Sequence, residues 1–395
     1  MSATPGRPQL TICVQDKIGG VQSFFASLEA AGAFAGFNTR FIALSAVEDR
    51  DAKPVVSFTA PTQVVVHSRI NNCHHTFRRL SDFIPAESGA VLTNFALELQ
   101  CLDMHRRPDL TVFHFCHDED YVTLARQFAH VIDVFVAHNP HFAERLKAEL
   151  PPNRADDVLF LPFGICQHES PIREPNPNAP LRVVFLGRLH QLKGVLDVPL
   201  VDAVLRAEGV TVRWRILGAG PERGNLVKAM AGLDNFTVES PRDGQAMLTR
   251  AADGDVLFLP SRLDGTPVAL MEAMSVGLVP VISEFNPGAH WMVPEHVGFV
   301  LNDLRPATFA RLIARLHHDR SELELRSAAA LLHARDRFNV EKQAPAYSTI
   351  LSSWARLKRS HREPPGRYGG RLDKPWLPNA FVTSVRRSLL RRTAE

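Results

Sequence analysis

The chain has 395 residues, 45% of them hydrophobic and 22% charged, with a formal net charge of +3. That length suits two domains, and the composition is that of an ordinary globular protein. The charge is too small to argue for a nucleic-acid partner, and no apolar run approaches the ~20 residues that cross a bilayer. Cys13, Cys73, Cys101, Cys116 and Cys166 form no CxxC pair, so neither a zinc ribbon nor a thioredoxin-like site is indicated. An odd number of cysteines favours reduced thiols in the cytoplasm. MSATPGRPQL at the start has no basic region followed by an apolar run, so no secretion signal is expected.

In the first half, short apolar runs alternate with amphipathic stretches. LTICVQ (10–15) reads as a buried strand and is followed by Gly19-Gly20, where backbone can approach a ligand closely. A Gly pair in such a turn is also an ordinary structural feature. FFASLEAAGAFA (24–35) has a helical pattern, and TRFIALSA (39–46) and TQVVVHS (62–68) read as strands. His74-His75 lie beside Cys73, but adjacent side chains diverge, so a surface or acceptor-side loop over 67–90 is expected rather than a metal site. NFALELQCLDMHRR (94–107) is helical in pattern, and DLTVFHF (109–115) and DVFVAH (133–138) are strands. Asp118-Glu119-Asp120 reads as a helix N-terminus. This rhythm is that of a parallel α/β sheet.

ESPIREPNPNAP (169–180) is rich in Pro and Asn and reads as a linker. The rhythm then restarts with strands LRVVFLGR (181–188), TVRWRILG (211–218), NFTVES (235–240), DVLFLPS (255–261) and LVPVIS (278–283). Two doubly wound domains are predicted, residues 1–168 and 181–340, with a closing helix at 341–358 and a basic tail at 359–395. Arg188 and Lys193 directly follow a strand and read either as solvated charges or as a cationic clamp on a diphosphate. Gly218, Gly220 and Pro221 make a tight turn that could also pack against a nucleotide. Asp253 and Asp255 resemble a metal-binding Asp-x-Asp but run straight into a strand, and are read as its entry.

SRLDGTPVALMEAM (261–274) carries the most chemistry. Pro267 fits the first turn of a helix, and Gly265 and Thr266 are expected to leave N–H groups free at its positive end for a phosphate. Asp264 and Glu272 add two carboxylates that can accept hydrogen bonds from hydroxyls. Phosphate plus hydroxyls points to a sugar nucleotide. From residue 356 onward there are eleven Lys or Arg against three acids, ending in FVTSVRRSLLRR. That tail reads either as disordered or as an amphipathic helix on an anionic membrane.

DKIGGVQ, VFHFCHD, VLFLPFGI, FLGRLHQLKG, LGAGPER and DVLFLPSRLDGTPVALMEAMSVGLVPV, in this order, resemble the retaining GT-B glycosyltransferases of family four (glycosyl transferases group 1). That family includes sucrose synthase and many bacterial mannosyl- and glucosyltransferases. The resemblance runs from about residue 10 to 355. It implies an α/β GT-B fold, two Rossmann-like doubly wound domains facing across a cleft, the first acceptor-side and the second binding the nucleotide-sugar. By the same resemblance Arg188 and Lys193 hold the donor diphosphate and Glu272 the ribose hydroxyls. Asp264 lies near the donor sugar, where the family most often has the longer Glu. Gly19, Gly20, Gly218, Gly265, Thr266 and Pro267 line the donor, and His117 stands near the donor sugar or acceptor. His114 points to the other side of its strand.

The implied activity is retaining transfer of a hexosyl group to a sugar, lipid-linked or small-molecule acceptor, in polysaccharide or glycolipid biosynthesis. The nucleotide-sugar is the co-substrate, no metal or other cofactor is expected, and no nucleic acid takes part. The expected location is the cytoplasm, with the tail as a peripheral contact at the inner membrane face. The alternatives are a GT-B sugar-nucleotide epimerase, a phosphorylase, or a scaffold that binds sugar nucleotide without turnover.

Overall fold

A computed structural model describes residues 6–16, 19–47, 57–167, 179–241, 244–359 and 365–392. The expected linker at 169–180 falls outside the described residues except for its last two positions. The chain divides into two compact units. One comprises residues 1–138, 142–161 and 343–395, the other residues 139–141 and 162–342.

The first unit contains β1 (Gln9–Gln15), β2 (Asn38–Ala46), β3 (Thr62–His67), β4 (Gly89–Thr93), β5 (Leu110–Cys116), β6 (Val134–Ala137) and β7 (Val158–Phe160). They form one sheet in the order β3-β2-β1-β4-β5-β6-β7, with every pairing parallel. The second unit contains β8 (Leu181–Leu186), β9 (Val212–Leu217), β10 (Phe236–Glu239), β11 (Val256–Leu259), β12 (Val279–Ser283) and β13 (Phe299–Leu301). Their order is β10-β9-β8-β11-β12-β13, again all parallel. Buried on both faces, such strands are near-continuous apolar runs, which is how they read in the sequence. In each sheet the order reverses beside the first strand, between β1 and β4 and between β8 and β11. Open α/β sheets bind ligands in the crevice at that point, beyond the carboxyl ends of the strands.

Helices cover the sheets because their sequences carry apolar stripes. Gly20–Ala30 buries Gln22, Phe24, Phe25 and Leu28 at helical spacing. In the second unit Trp214, Phe258 and Phe309 pack edge to face, with ring centroids 5.5 and 5.2 Å apart. Trp214 Nε1 donates to Asp202 Oδ1 at 2.9 Å, so the buried indole is satisfied. Asp255 accepts from Arg182 backbone and side chain at 2.7 to 3.0 Å, at the entry to β11, as a strand-entry residue should.

Three sequence expectations need correction. β4 and β13 were not anticipated; each is short, and GAVLT runs without a break into the helix-like stretch beyond it. The stretch 67–90 is not mainly loop: Cys73–Phe83 is a helix capped by Asn72, whose Oδ1 accepts from His74 N at 3.1 Å. His74 is buried there rather than displayed on a surface. The disordered reading of the tail is overturned: residues 365–392 are folded, belong to the first unit and end in the helix Asn379–Arg392. Its anchors are polar. Tyr368 Oη donates to Asp103 at 2.5 Å, Asp373 accepts from Cys73 N at 2.9 Å and pairs with Arg386 at 2.6 Å, and Asn379 accepts from Asn72 N at 2.8 Å.

Candidate functional site

In the second unit the loops after β8 and β11 carry most of the residues singled out in the sequence. Arg188 follows β8 directly; it is exposed and makes no side-chain ion pair with a described residue. Five residues on, Lys193 Nζ donates to Asp264 Oδ2 at 2.5 Å. The pair is largely enclosed, with the side chains 28% and 13% exposed. Asp264 is therefore a counter-ion that orients the lysine. An ammonium group has three donors, so this leaves Lys193 able to serve an anion as well.

The two loops are tied a second and a third time. Arg262 makes a two-point pair with Asp197, and Arg262 N donates to Leu192 O at 2.8 Å. Gly194 sits between them with φ +71°, where a Cβ would run into Pro260 and Arg262. The cations after β8 are thus held on a braced loop rather than on a free one.

The segment after β11 departs from the reading of Gly265 as an open phosphate donor. Its N–H is taken by Asp264 Oδ1 at 3.1 Å. The carbonyls of Asp264 and Gly265 accept from Asn286 Nδ2 at 2.7 and 2.9 Å, and Asn286 Oδ1 is fixed by Gly288 N at 2.7 Å. Asn286, in the loop after β12, was not singled out by sequence; an isolated Asn carries no motif. Pro267 is the residue before the helix Val268–Ser275 rather than its first member. The N–H of Thr266, as expected, and those of Val268 and Ala269 in the first turn meet no acceptor among the described residues. Thr266 Oγ1 is buried there without a hydrogen-bond partner among the described residues. Glu272, one turn into the helix, has no side-chain partner among the described residues either. Loss of water around it pushes its carboxyl up to about 7. A carboxyl left unpaired and poorly solvated is a site for hydroxyl donors.

Gly218 lies at the end of β9, and both its backbone groups are used. Its N–H donates to Glu239 O at 2.9 Å and its carbonyl accepts from Ser240 Oγ at 2.8 Å. With φ +150° it comes so close to Gly187 that a Cβ would collide with the Gly187 carbonyl. Its observed role is to let two turns touch, and it offers no N–H to a ligand.

In the first unit Gly19 caps the helix Gly20–Ala30 in extended backbone, and its carbonyl accepts from Ser23 N at 3.3 Å. Lys17 and Ile18 before it lie outside the described residues. His117 follows β5 and is buried. Its Nε2 is 2.9 Å from Asn94 Oδ1, and Asn94 Nδ2 donates to Cys13 O at 2.7 Å. The amide is thereby fixed with its oxygen toward the ring, so His117 Nε2 carries the proton and Nδ1 can only accept. Burial, with His138 and His114 nearby, holds the His117 ring well below its usual titration range. His117 is therefore a neutral, oriented hydrogen-bonding group. His114 is buried between Thr93 Oγ1 at 3.1 Å and Tyr121 O at 3.4 Å. Sequence reasoning missed Asn94 and Glu98. Glu98 Oε1 accepts from Asn94 N and Phe95 N at 2.7 and 2.6 Å and so shapes the turn after β4. Asp118 caps the next helix by accepting from Asp120 N at 2.9 Å.

Among the described residues no cluster of three or more His, Cys, Asp or Glu side chains is arranged to hold a metal ion.

Residues 180–319, which contain every one of the second-unit groups above, match the model of the family described as glycosyl transferases group 1. That segment is 140 of the 395 residues. The putative colanic acid biosynthesis glycosyltransferase WcaL of Salmonella typhimurium is 34% identical over 166 residues, 37% of this chain and 39% of WcaL. The match thus spans about two-fifths of the length of that relative. Among solved structures, sucrose-phosphate synthase from Thermosynechococcus elongatus superposes with a TM-score of 0.70 at 15% identity, over 89% of this chain and 100% of that one. Anabaena Alr3699/HepE in complex with UDP and glucose gives 0.67 at 16% identity, over 88% and 100%. The fold is GT-B, two parallel-sheet α/β domains of the Rossmann type. In the glycosyl transferases group 1 segment, Arg188, Lys193, Asp264, Thr266 and Glu272 all stand on the loops and helix flanking the β8/β11 crevice.

Proposed function

We propose that this chain is a retaining, metal-independent glycosyltransferase that moves a hexosyl group from a nucleotide-activated sugar to a glycan or lipid-linked acceptor. The observation that carries the reading is the grouping after β8 and β11. Two cations, an open helix N-terminus and an unpaired carboxyl at about 7 flank the crevice of one sheet. A sugar nucleotide presents a diphosphate and a ribose diol, and these groups answer both. HepE is bound to UDP and glucose, and WcaL is named for colanic acid biosynthesis, which supports a nucleotide-sugar donor and a polysaccharide product.

In this reading Arg188 and Lys193 bind the donor diphosphate, with Asp264 orienting Lys193. Glu272 accepts from the ribose hydroxyls. The bond from the anomeric carbon to the phosphate oxygen breaks and its electron pair stays on that oxygen. The two cations stabilise the charge that develops there, more in the transition state than before it. The acceptor hydroxyl bonds to the anomeric carbon on the same face and its proton passes to the leaving phosphate. His117, neutral and oriented by Asn94, is a hydrogen-bonding group toward the sugars rather than a charged acid. Gly19 and Gly20 are the close-approach backbone of the acceptor-side unit.

Thermal-shift titration with UDP-, GDP- and ADP-sugars tests the donor assignment: one nucleotide raises the melting temperature. Product analysis with donor alone separates transfer from epimerisation, because an epimerase converts the donor without an acceptor.

A further inference from the structure

Seven Lys or Arg and a single acid fall in residues 365–392, and the single acid, Asp373, is already neutralised by Arg386 at 2.6 Å. The helix Asn379–Arg392 is fastened to its unit by one face: Val382 is fully buried, and Arg386 donates to Asn71 O at 2.5 Å. The neighbouring face carries Ala380, Thr383, Ser384, Arg387 and Ser388, at i, i+3, i+4, i+7 and i+8. Together with Asn71 and Asn379 these residues line a cavity of about 550 Å³. Hydroxyls and one guanidinium that pairs with no described acid are the chemistry that receives a phosphate. In the same tail, large apolar side chains are exposed: Trp376, shortly before the helix, is 76% exposed and Phe381, in its first turn, 52%. Leu389 and Leu390 on the last turns are 54% and 59% exposed. Cationic side chains and exposed aromatic and aliphatic ones within one short segment are the composition of a membrane-interface element, whose Trp, Phe and Leu enter the boundary between headgroups and acyl chains. No helix among the described residues is long and apolar enough to cross a membrane.

We propose that the folded tail docks this protein on an anionic lipid surface, with Trp376 and Phe381 entering the interface and the cavity beside Arg387 receiving a headgroup phosphate. The tail lies outside the glycosyl transferases group 1 segment, so the proposal stands or falls separately from the donor reading. The positive charge complements an anionic surface, and the aromatic pair supplies the apolar area that charge alone lacks. The folded anchors on Asn72, Cys73 and Asp103 present these groups on a fixed frame rather than on a flexible arm.

The test is co-sedimentation of the full chain with vesicles of phosphatidylglycerol and phosphatidylcholine against vesicles of phosphatidylcholine alone. The expected result is pelleting only with the anionic vesicles, lost as salt rises, and weakened at least about tenfold by Arg387→Glu. Inorganic phosphate at millimolar concentration, the free-anion probe, should leave vesicle binding largely intact; full displacement by it would mean a soluble phosphate site and overturn the lipid assignment. Equal binding to both vesicles, or none to either, would also overturn it. Trp376 gives an independent readout. Its fluorescence should be quenched by brominated lipid, and the quenching should vanish in Trp376→Phe. A Trp376 signal indifferent to brominated lipid contradicts the docking geometry, even if the protein pellets.

Discussion

At the residue scale the account rests on Lys193 and Glu272. Lys193 is held by Asp264 at 2.5 Å and stands beside Arg188 on a braced loop. Lys193→Ala should lower turnover by roughly 10²- to 10³-fold, the usual cost of removing one group that stabilises developing charge. Circular dichroism should show an unchanged fold, and a turnover near wild type would remove Lys193 from the mechanism. Glu272 gives a pH prediction. Its carboxyl titrates at about 7, and ribose hydroxyls donate to the ionised form. Nucleotide affinity should therefore rise as pH increases through about 7 and level off above it, and Glu272→Gln should flatten that dependence. Calorimetry from pH 6 to 8 measures it. Arg188, Lys193 and Glu272 could be picked out in the sequence, because each follows a strand or sits at a fixed place in SRLDGTPVALMEAM. The ion pair between Lys193 and Asp264 could not, since it joins two loops that only the sheet order brings together. The loss of the Gly265 N–H to Asp264 is a contact between consecutive residues, set by the direction of the Asp264 side chain, which no motif marks.

At the element scale, the loops that carry the site are set by residues that the sequence did not advertise. Asn286 donates to two carbonyls, at 2.7 and 2.9 Å, and so holds the turn before the helix Val268–Ser275. Asn286→Ala leaves two acceptors unmet and should cost about 1–3 kcal/mol in stability, read by urea denaturation. It should also weaken nucleotide binding, because the first turn is no longer fixed. A variant of wild-type stability and affinity would show that the turn holds its shape alone. The fourth strand of the first sheet, β4, is another case. Only Asn94 and Phe95 separate its five residues from the helix Ala96–Met104, and the apolar pattern continues beyond them, so periodicity alone gives no boundary. Yet β4 is the strand that makes the reversal in that sheet and positions Asn94 under His117. Strands with longer apolar runs, β1, β2, β5, β8 and β11 among them, were all legible.

At the scale of the whole molecule, two repeats of one sheet topology carry different chemistry. The second unit keeps cations and an unpaired acid at its crevice, whereas the first keeps a buried Asn94–His117–Glu98 group. Glu98, fully buried, has a carboxyl pushed up to about 7 by burial, partly offset by the N–H groups that bond it. The native state then holds a proton there that the unfolded chain releases near the ordinary value of 4.5. The stability it contributes is complete below that value and is lost as pH rises through about 7. Glu98→Gln, which can still accept from Asn94 and Phe95, should match wild type near pH 4 and exceed it at pH 8 by on the order of 2 kcal/mol. Melting temperatures at the two pH values measure this, and a gain that does not grow with pH would contradict the assignment. Two domains and the GT-B likeness were legible because strand and helix runs alternate in register. The folded tail was not, since its anchors are single polar contacts to Asn72, Cys73 and Asp103.

The most direct test of the central claim is calorimetric titration of the full chain with UDP-, GDP- and ADP-glucose, repeated on Lys193→Ala and Glu272→Gln. The account predicts that at least one of the three binds with a Kd below about 1 mM, and that each substitution weakens it at least about tenfold. Absence of binding by all three, or binding that neither substitution alters, would contradict the account.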